Sequence, residues 1–293
     1  MTDSTIAGSN PARPEIYIEQ LQKVAEIQAA PLGLMHRLYA FSALRKLSLL
    51  ILLATAWQIY ALILNNPLIF PAFTATAMAL LRGFISGELL QAGAATIWLL
   101  LKGYGLGLLL AAVLTTLASA TRIGADLLET LTAMFNPLPS IAMLPLAMVW
   151  FGLGDGSVIF VLVHAVLWAV ALNTFSGFKS VSQTLKLVGQ NYGLTGPAYI
   201  FRILIPGAFA SILTGLKVGW AFAWRTLIAA ELVFGASSGS GGLGWFLFQK
   251  KNELLITEVF AGLLTIIIFG LLIENLVFKT IENRTIRRWG MLQ

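Results

Sequence analysis

The chain has 293 residues, of which 58% are hydrophobic and only 11% charged; soluble domains usually hold about 45–50% apolar and about 25% charged residues, so an ordinary soluble fold is excluded. Cysteine is absent, and the two histidines, His36 and His164, stand far apart, which removes disulfides, thiolate chemistry and a cysteine metal site and argues against zinc. The formal net charge of +6 comes with no aromatic-interleaved basic groove, so nucleic acid is not implied.

Residues 1–46 are of mixed polarity, begin MTDSTIAGSNPARP and hold no apolar core of the kind a secretory signal needs. They read as a cytoplasmic tail, with a weak amphipathic pattern at Ile18, Leu21, Val24 and Ile27 after Pro14. At about 20 apolar residues per crossing, spans are predicted near Leu47–Leu64, Thr96–Ala118, Ile141–Phe151 with a helical lead-in from Leu127, Val158–Phe175, Ala208–Phe234 and Val259–Val277. Residues 47–278 thus form an all-α membrane domain of about six spans, followed by a basic tail, 279–293. Six spans put both ends on one side, and the basic residues say which. Arg13, Lys23, Arg37, Arg45, Lys46, Arg122, Lys179, Lys186, Arg202, Lys217, Lys279, Arg284, Arg287 and Arg288 share the side of the termini; only Arg82, Lys250 and Lys251 lie opposite. The termini and the loop Val181–Pro206 are therefore expected in the cytoplasm.

After the first span, PLIFPAFTATAMALLRGFISGELLQ reads as an interfacial helix entered at Pro71 and closed at Gly87. The second span carries a small residue at every fourth position, Gly103, Gly107, Ala111, Thr115 and Ser119, and the fifth does the same at Gly207, Ser211, Gly215, Gly219 and Ala223. Such stripes let helix backbones approach closely in lipid; lining a solute route is a second use open to them. In FNPLPSIAMLPLAMVWFGLGDGS, Pro137, Pro139 and Pro145 each withdraw a helix donor, which predicts a break near Asn136–Pro145. Carbonyls freed at membrane depth must be buried in protein or face a wet cavity. Asn136 and Pro139 are therefore candidates for a translocation pathway, with a packing device as the other reading.

The polar interruption Val181–Pro206 reads as two short helices and a hinge. Val181, Leu185 and Val188 fall on one helical face, Gly193 supplies the left-handed residue that ends the first helix, Pro197 opens the second and Pro206 stops it. The stretch holds no histidine or carboxylate, so its use is mechanical.

Arg225 in the fifth span would cost on the order of 2.5–3.5 kcal/mol at a helix centre and should face protein, solute or water. Glu231 is six residues on, a rotation of about 240°, so the two are not a pair along one face. Two readings stand for them: Arg225 tied to carbonyls or snorkelled outward with Glu231 capped at the external boundary, or a cationic pathway group that helps an anion pass. Gly239, Gly241 and Gly244 match the dinucleotide spacing, but a membrane helix and not a strand precedes them, so the stretch reads as a flexible external loop. No phosphate-cradling loop of the G-x-x-x-x-G-K-[ST] type occurs.

Several of these stretches, in this order, resemble the permease subunits of ATP-binding cassette importers, in the nitrate, sulfonate, taurine and bicarbonate subfamily. The external helix ending in Gly-Glu-Leu, the turn Phe151-Gly152-Leu153-Gly154, and Ala229-Ala230-Glu231-Leu232 followed by Gly242-Leu243-Gly244 each have a counterpart there. The loop spacing Gly193, nine residues, Ile203, one residue, Ile205, Pro206 is similar to the family's coupling loop, with Leu187, Val188 and Gly189 in the place of its Glu-Ala-Ala and Ile205 in the place of Leu. The resemblance implies a type I importer permease fold in a bacterial inner membrane. It implies ATPase coupling through Leu187, Val188, Gly189, Gly193, Ile203 and Pro206. The implied partners are two cytoplasmic ATPase subunits that hold the ATP and magnesium, a second permease chain and an external substrate-binding protein. This chain would bind no cofactor of its own and would pass a small oxyanion or organic acid. An ion-coupled transporter, relying on Lys102, Arg225 and Glu231, and a non-transporting scaffold are the alternatives.

Overall fold

The structure, a computed structural model, describes residues 42–234 and 241–285. The readings of Pro14 and of Ile18–Ile27, and those of Gly239, Arg287 and Arg288, fall outside them. Two units are distinguished, residues 1–53 and residues 54–293. Of the first, the described part is the opening half of helix α1 (Ser42–Leu64), where Leu47, Leu49, Leu50, Leu52 and Leu53 are exposed. A surface of that kind is stable against lipid or another apolar face and not against water.

The second unit holds the other helices, with no strand among the described residues. α2 (Phe73–Ile85) is followed by Gly87, whose φ of 80° suits a residue without Cβ, and α3 (Glu88–Ala120) starts directly after it. Thr121 is extended and caps α4 (Arg122–Phe135), its Oγ1 accepting from the Gly124 N–H at 2.9 Å. A one-turn 3₁₀ segment (Ser140–Met143) and α5 (Leu144–Phe151) come next, turned by 87° from α4. Pro137 and Pro139 sit in the gap between them, but Pro145 lies in the first turn of α5, where a helix needs no donor. Two of the three prolines break the span and the third restarts it.

α6 (Asp155–Ser180) is the centre of the packing. Of its most apolar stretch 72% is buried, against 6% for α1. Both small-residue stripes close on it: a Cβ at Gly103 of α3 would lie 2.6 Å from Leu162 Cβ, and one at Gly215 would lie 2.8 Å from Asn173 Cβ and 3.4 Å from the Val170 backbone. Lipid supplies no hydrophobic drive between helices, so close backbone approach with side chains such as Val161, Leu162, Val166 and Leu213 in contact is what holds them. Gly103→Leu is expected to lower stability by about 1–3 kcal/mol through overpacking, read as a lower midpoint of thermal unfolding in detergent. Gly105→Leu, where nothing stands within 4 Å, should leave the midpoint unchanged.

The chain then passes through the hairpin described below into α10 (Phe209–Phe234), α11 (Leu243–Asn252) and α12 (Ile256–Ile273). α12 runs through a π turn (Glu274–Phe278) into α13 (Lys279–Arg284), so part of the expected basic tail is helical. Among the described residues four helices are long and apolar enough to cross a membrane alone. The bent pair 122–151 and a second, in which 196–207 meets α10 at 80°, bring the number to six.

Candidate translocation and coupling sites

The hairpin is built on glycine geometry. α7 (Gln183–Asn191) ends at Gly193, φ 70°, with the Gly193 N–H donating to Gln190 O at 2.9 Å and the Leu194 N–H to Gly189 O at 3.0 Å. This paired closure of a helix end depends on a left-handed residue at that position. α8 (Gly196–Tyr199) has Pro197 in its first turn, and it leads through a π turn (Ile200–Leu204) to the short α9 (Ile205–Gly207), which carries Pro206 in its own first turn. Gly189 is buried where α7 lies on the π turn: a Cβ there would sit 2.8 Å from Ile203 Cγ1 and 3.0 Å from Tyr199 Cε2. A glycine at the end of the Leu187-Val188-Gly189 triplet is what allows that seating.

Val181, Ile200, Leu204 and Ala208 form a buried cluster with Phe178 of α6, which roots the hairpin. The expected face of Val181, Leu185 and Val188 is not one face. Ser182 interrupts the helix, so Val181 closes α6 while Leu185 and Val188 belong to α7 and stay exposed. Leu187 and Tyr192 are exposed beside them, so the hairpin presents apolar side chains outward.

A second feature is a cavity of about 340 Å³ lined by Asn136, Pro139, Ser140, Phe222, Arg225 and Thr226, among others, with no carboxylate in its wall. It joins the break after α4 to α10. Arg225 donates from Nε to Ala221 O at 3.0 Å and rests its guanidinium over the Phe222 ring, 5.2 Å from the centroid. The other guanidinium N–H groups have no partner among the described residues. Ser140 Oγ lies 3.2 Å from His164 Nδ1. His164 is buried beside Phe135 and Trp168, which stack at 5.4 Å. Sequence reasoning gave His164 no partner, and no local spacing links it to Ser140, 24 residues earlier.

Glu231 is elsewhere. It is 6% exposed and accepts from Thr96 Oγ1 of α3 at 2.9 Å and from the Gly244 N–H at 2.8 Å, while Thr96 Oγ1 itself accepts from the Leu243 N–H at 2.8 Å. A Cβ at Gly244 would stand 2.6 Å from Glu231 Cβ, and one at Gly242 would collide with the carboxylate. The Gly-Leu-Gly turn therefore folds directly over the Glu231 side chain, and the group fastens α3, α10 and the start of α11 together. Asn136, Pro139 and Arg225 share one cavity, and Glu231 does not reach it. Glu231→Ala strips an acceptor from two buried donors, at about 1–3 kcal/mol each. The expected result is a markedly lower unfolding midpoint, with Glu231→Gln intermediate. At the far end of α11, Lys250 bonds Glu88 at 2.9 Å. Burial works against its ammonium, but Glu88, with Glu253 and Glu258 behind it, more than offsets this and raises its pKa. That pair is in place at neutral pH, and on the alkaline side it is lost as pH rises above the raised value.

The sequence model of the family described as binding-protein-dependent transport system inner membrane components matches residues 103–288. The chain belongs to that family. It is a permease with the type I fold of ATP-binding cassette importers, a multi-pass component of the inner membrane that serves a binding-protein-dependent system. Similar permeases include a taurine transport system permease protein of Escherichia coli, 32% identical over 84% of this chain and 90% of its own length. A putative ABC transporter permease protein of Methanocaldococcus jannaschii is 31% identical over 78% of this chain and 86% of its own. A nitrate import permease protein of Synechocystis is 29% identical over 60% of this chain and 62% of its own. All three are named as transport permeases and not as enzymes.

Proposed function

We propose that the chain is the membrane-spanning subunit of an ATP-driven importer for a small anion, in the chemical range of nitrate, taurine and other sulfonates, bicarbonate or an organic acid. The observation that carries the anionic class is Arg225: a cation with free donors in the wall of a carboxylate-free cavity, at the proline-made break of a span. The names of the relatives support the same range. In this reading two permease chains, two cytoplasmic ATPase subunits and an external binding protein make the transporter. The ATPases hold ATP and magnesium, and both termini and the hairpin face the cytoplasm. The exposed apolar residues Leu187, Val188 and Tyr192 dock on the ATPase. Closure of the ATPases pushes the hairpin, whose root cluster passes the displacement to α6 and α10, and the cavity changes the side on which it opens.

An ion-coupled mechanism would need free ionisable groups within the spans. Lys102 pairs with Asp155 at 3.4 Å and Glu231 is locked by Thr96 and Gly244. Of the three candidates, that leaves Arg225 alone. The test is uptake into proteoliposomes that contain the permease with its ATPase and binding protein, assayed with an alkanesulfonate, with taurine for its anionic sulfonate group, with nitrate, with bicarbonate and with an uncharged sugar as the neutral solute. Uptake of one of the anions that depends on ATP and stops with a hydrolysis-defective ATPase is expected. Uptake of the neutral solute alone, or uptake by the permease alone on an ion gradient, would overturn the reading.

A further inference from the structure

We infer that the chain carries a second anion site, distinct from the Arg225 cavity: a pocket of about 430 Å³ that takes a phosphate group where the hairpin meets the ends of three helices. Its polar wall is Thr121 and Arg122 at the start of α4, Lys179 in the last turn of α6, Lys186 of α7 and Tyr199 of α8, and no carboxylate lines it. Ala118, Phe175, Phe178 and Leu204 give it an apolar floor.

Two of the three cations in this pocket, Arg122 and Lys186, have no ion pair among the described residues. Lys179 is paired with the Glu129 carboxylate. Lys186 donates from Nζ to Lys179 O at 3.1 Å, which satisfies a hydrogen bond but neutralises nothing. Arg122 has neither an ion pair nor a side-chain hydrogen bond among the described residues. It is also the first residue of α4, where the helix dipole is positive and a cation is disfavoured. An Arg at a helix start that shares a pocket with the unneutralised Lys186 is held against both the dipole and that neighbour. One bound anion reverses the sign of each of these interactions, because the same dipole and the two cations without an ion pair, Arg122 and Lys186, then attract it.

The location selects the kind of anion. Ala120 and Ser180 end the apolar helices α3 and α6, so the pocket lies at the edge of the apolar layer, the depth of a phospholipid headgroup. A soluble phosphate offers the same oxygens to Arg122 and Lys186 without the acyl chains that the floor would cover. The wall is drawn from the hairpin (Lys186, Tyr199, Leu204) and from the helix ends (Arg122, Lys179). A bound phosphate therefore bridges the part that moves and the part that follows it. The site is independent of Arg225 and of the identity of the transported solute.

The test uses the assembled transporter in a neutral detergent, titrated with dioleoylphosphatidylglycerol, with dioleoylphosphatidylcholine or with inorganic phosphate. The readouts are lipid retention by native mass spectrometry and the unfolding midpoint. Phosphatidylglycerol is expected to be retained and to raise the midpoint, with phosphatidylcholine inert. Arg122→Gln with Lys186→Gln should weaken that response by about tenfold or more, and Lys251→Gln, remote from the pocket, should respond as the wild type does. Arg122 is exposed, so Arg122→Gln alone gives the answer if the double variant does not assemble. Inorganic phosphate that reproduces the shift and displaces the lipid would assign the site to a soluble phosphate. Equal retention by wild type and Arg122→Gln, with no shift from either phosphate probe, would overturn the site.

Discussion

Gly193→Val is expected to leave the assembled transporter hydrolysing ATP while solute uptake per ATP falls by about tenfold. The effect is confined to the backbone. Gly193 holds φ at 70°, and a Cβ placed there would have no atom within 4 Å beyond its chain neighbours, so the cost that the geometry imposes on any side chain is the left-handed conformation. That cost is about 1–2 kcal/mol for an ordinary residue and more for a β-branched one, and about 1.4 kcal/mol is a factor of ten in population. The hairpin relieves the strain by opening the closure between Gly193 and Gln190 and between Leu194 and Gly189, and a loosened α7 no longer transmits a push. Gly193→Asn, which enters the left-handed region more readily, should keep most of the coupling. Uptake per ATP unchanged in the valine variant would remove Gly193 from the coupling element.

Arg225→Ala is expected to lower uptake of the anionic solute by roughly 10- to 100-fold while the complex assembles at the wild-type level. A hydrogen bond to a charged group is worth about 1.5–3 kcal/mol, which sets the range. Assembly should survive because Arg225 makes one bond to its own helix, at Ala221 O, and one ring contact, with Phe222. Arg225→Lys keeps the charge but loses the planar fork, so partial recovery is the expected result. Parallel loss of uptake and of assembled complex would assign Arg225 to structure.

What the sequence made legible was what depends on near neighbours. Span positions followed from local hydropathy. The left-handed glycines at 87 and 193 and the prolines at 137 and 139 declared their turns because each acts on its own backbone. The small-residue stripes were visible, but their shared partner α6 was not, since spacing along one helix says nothing of what packs on it. Glu231 shows the limit most clearly. Its hydrogen-bond donor Thr96 is 135 residues away, so the Ala-Ala-Glu-Leu and Gly-Leu-Gly stretches could be matched to relatives without revealing that one is folded over the other. His164 stayed hidden for the same reason, since only the turn after α4 brings Ser140 to it. The face of Val181, Leu185 and Val188 misled because an i, i+4, i+7 count presumes an unbroken helix, and Ser182 breaks it.

The burial of both small-residue stripes against α6 also fixes where a conduit can run. Those flanks of α3 and α10 are closed, so under the proposed function the bore would be bounded by the side of α10 that shows Phe222 and Arg225, with a single protomer giving part of its circumference. In a symmetric pair each copy would supply half the rim and one guanidinium, and the two arginines would repel unless a solute anion lay between them. A pair of unlike permeases could then change selectivity by altering one half of the rim and leaving the other as it is.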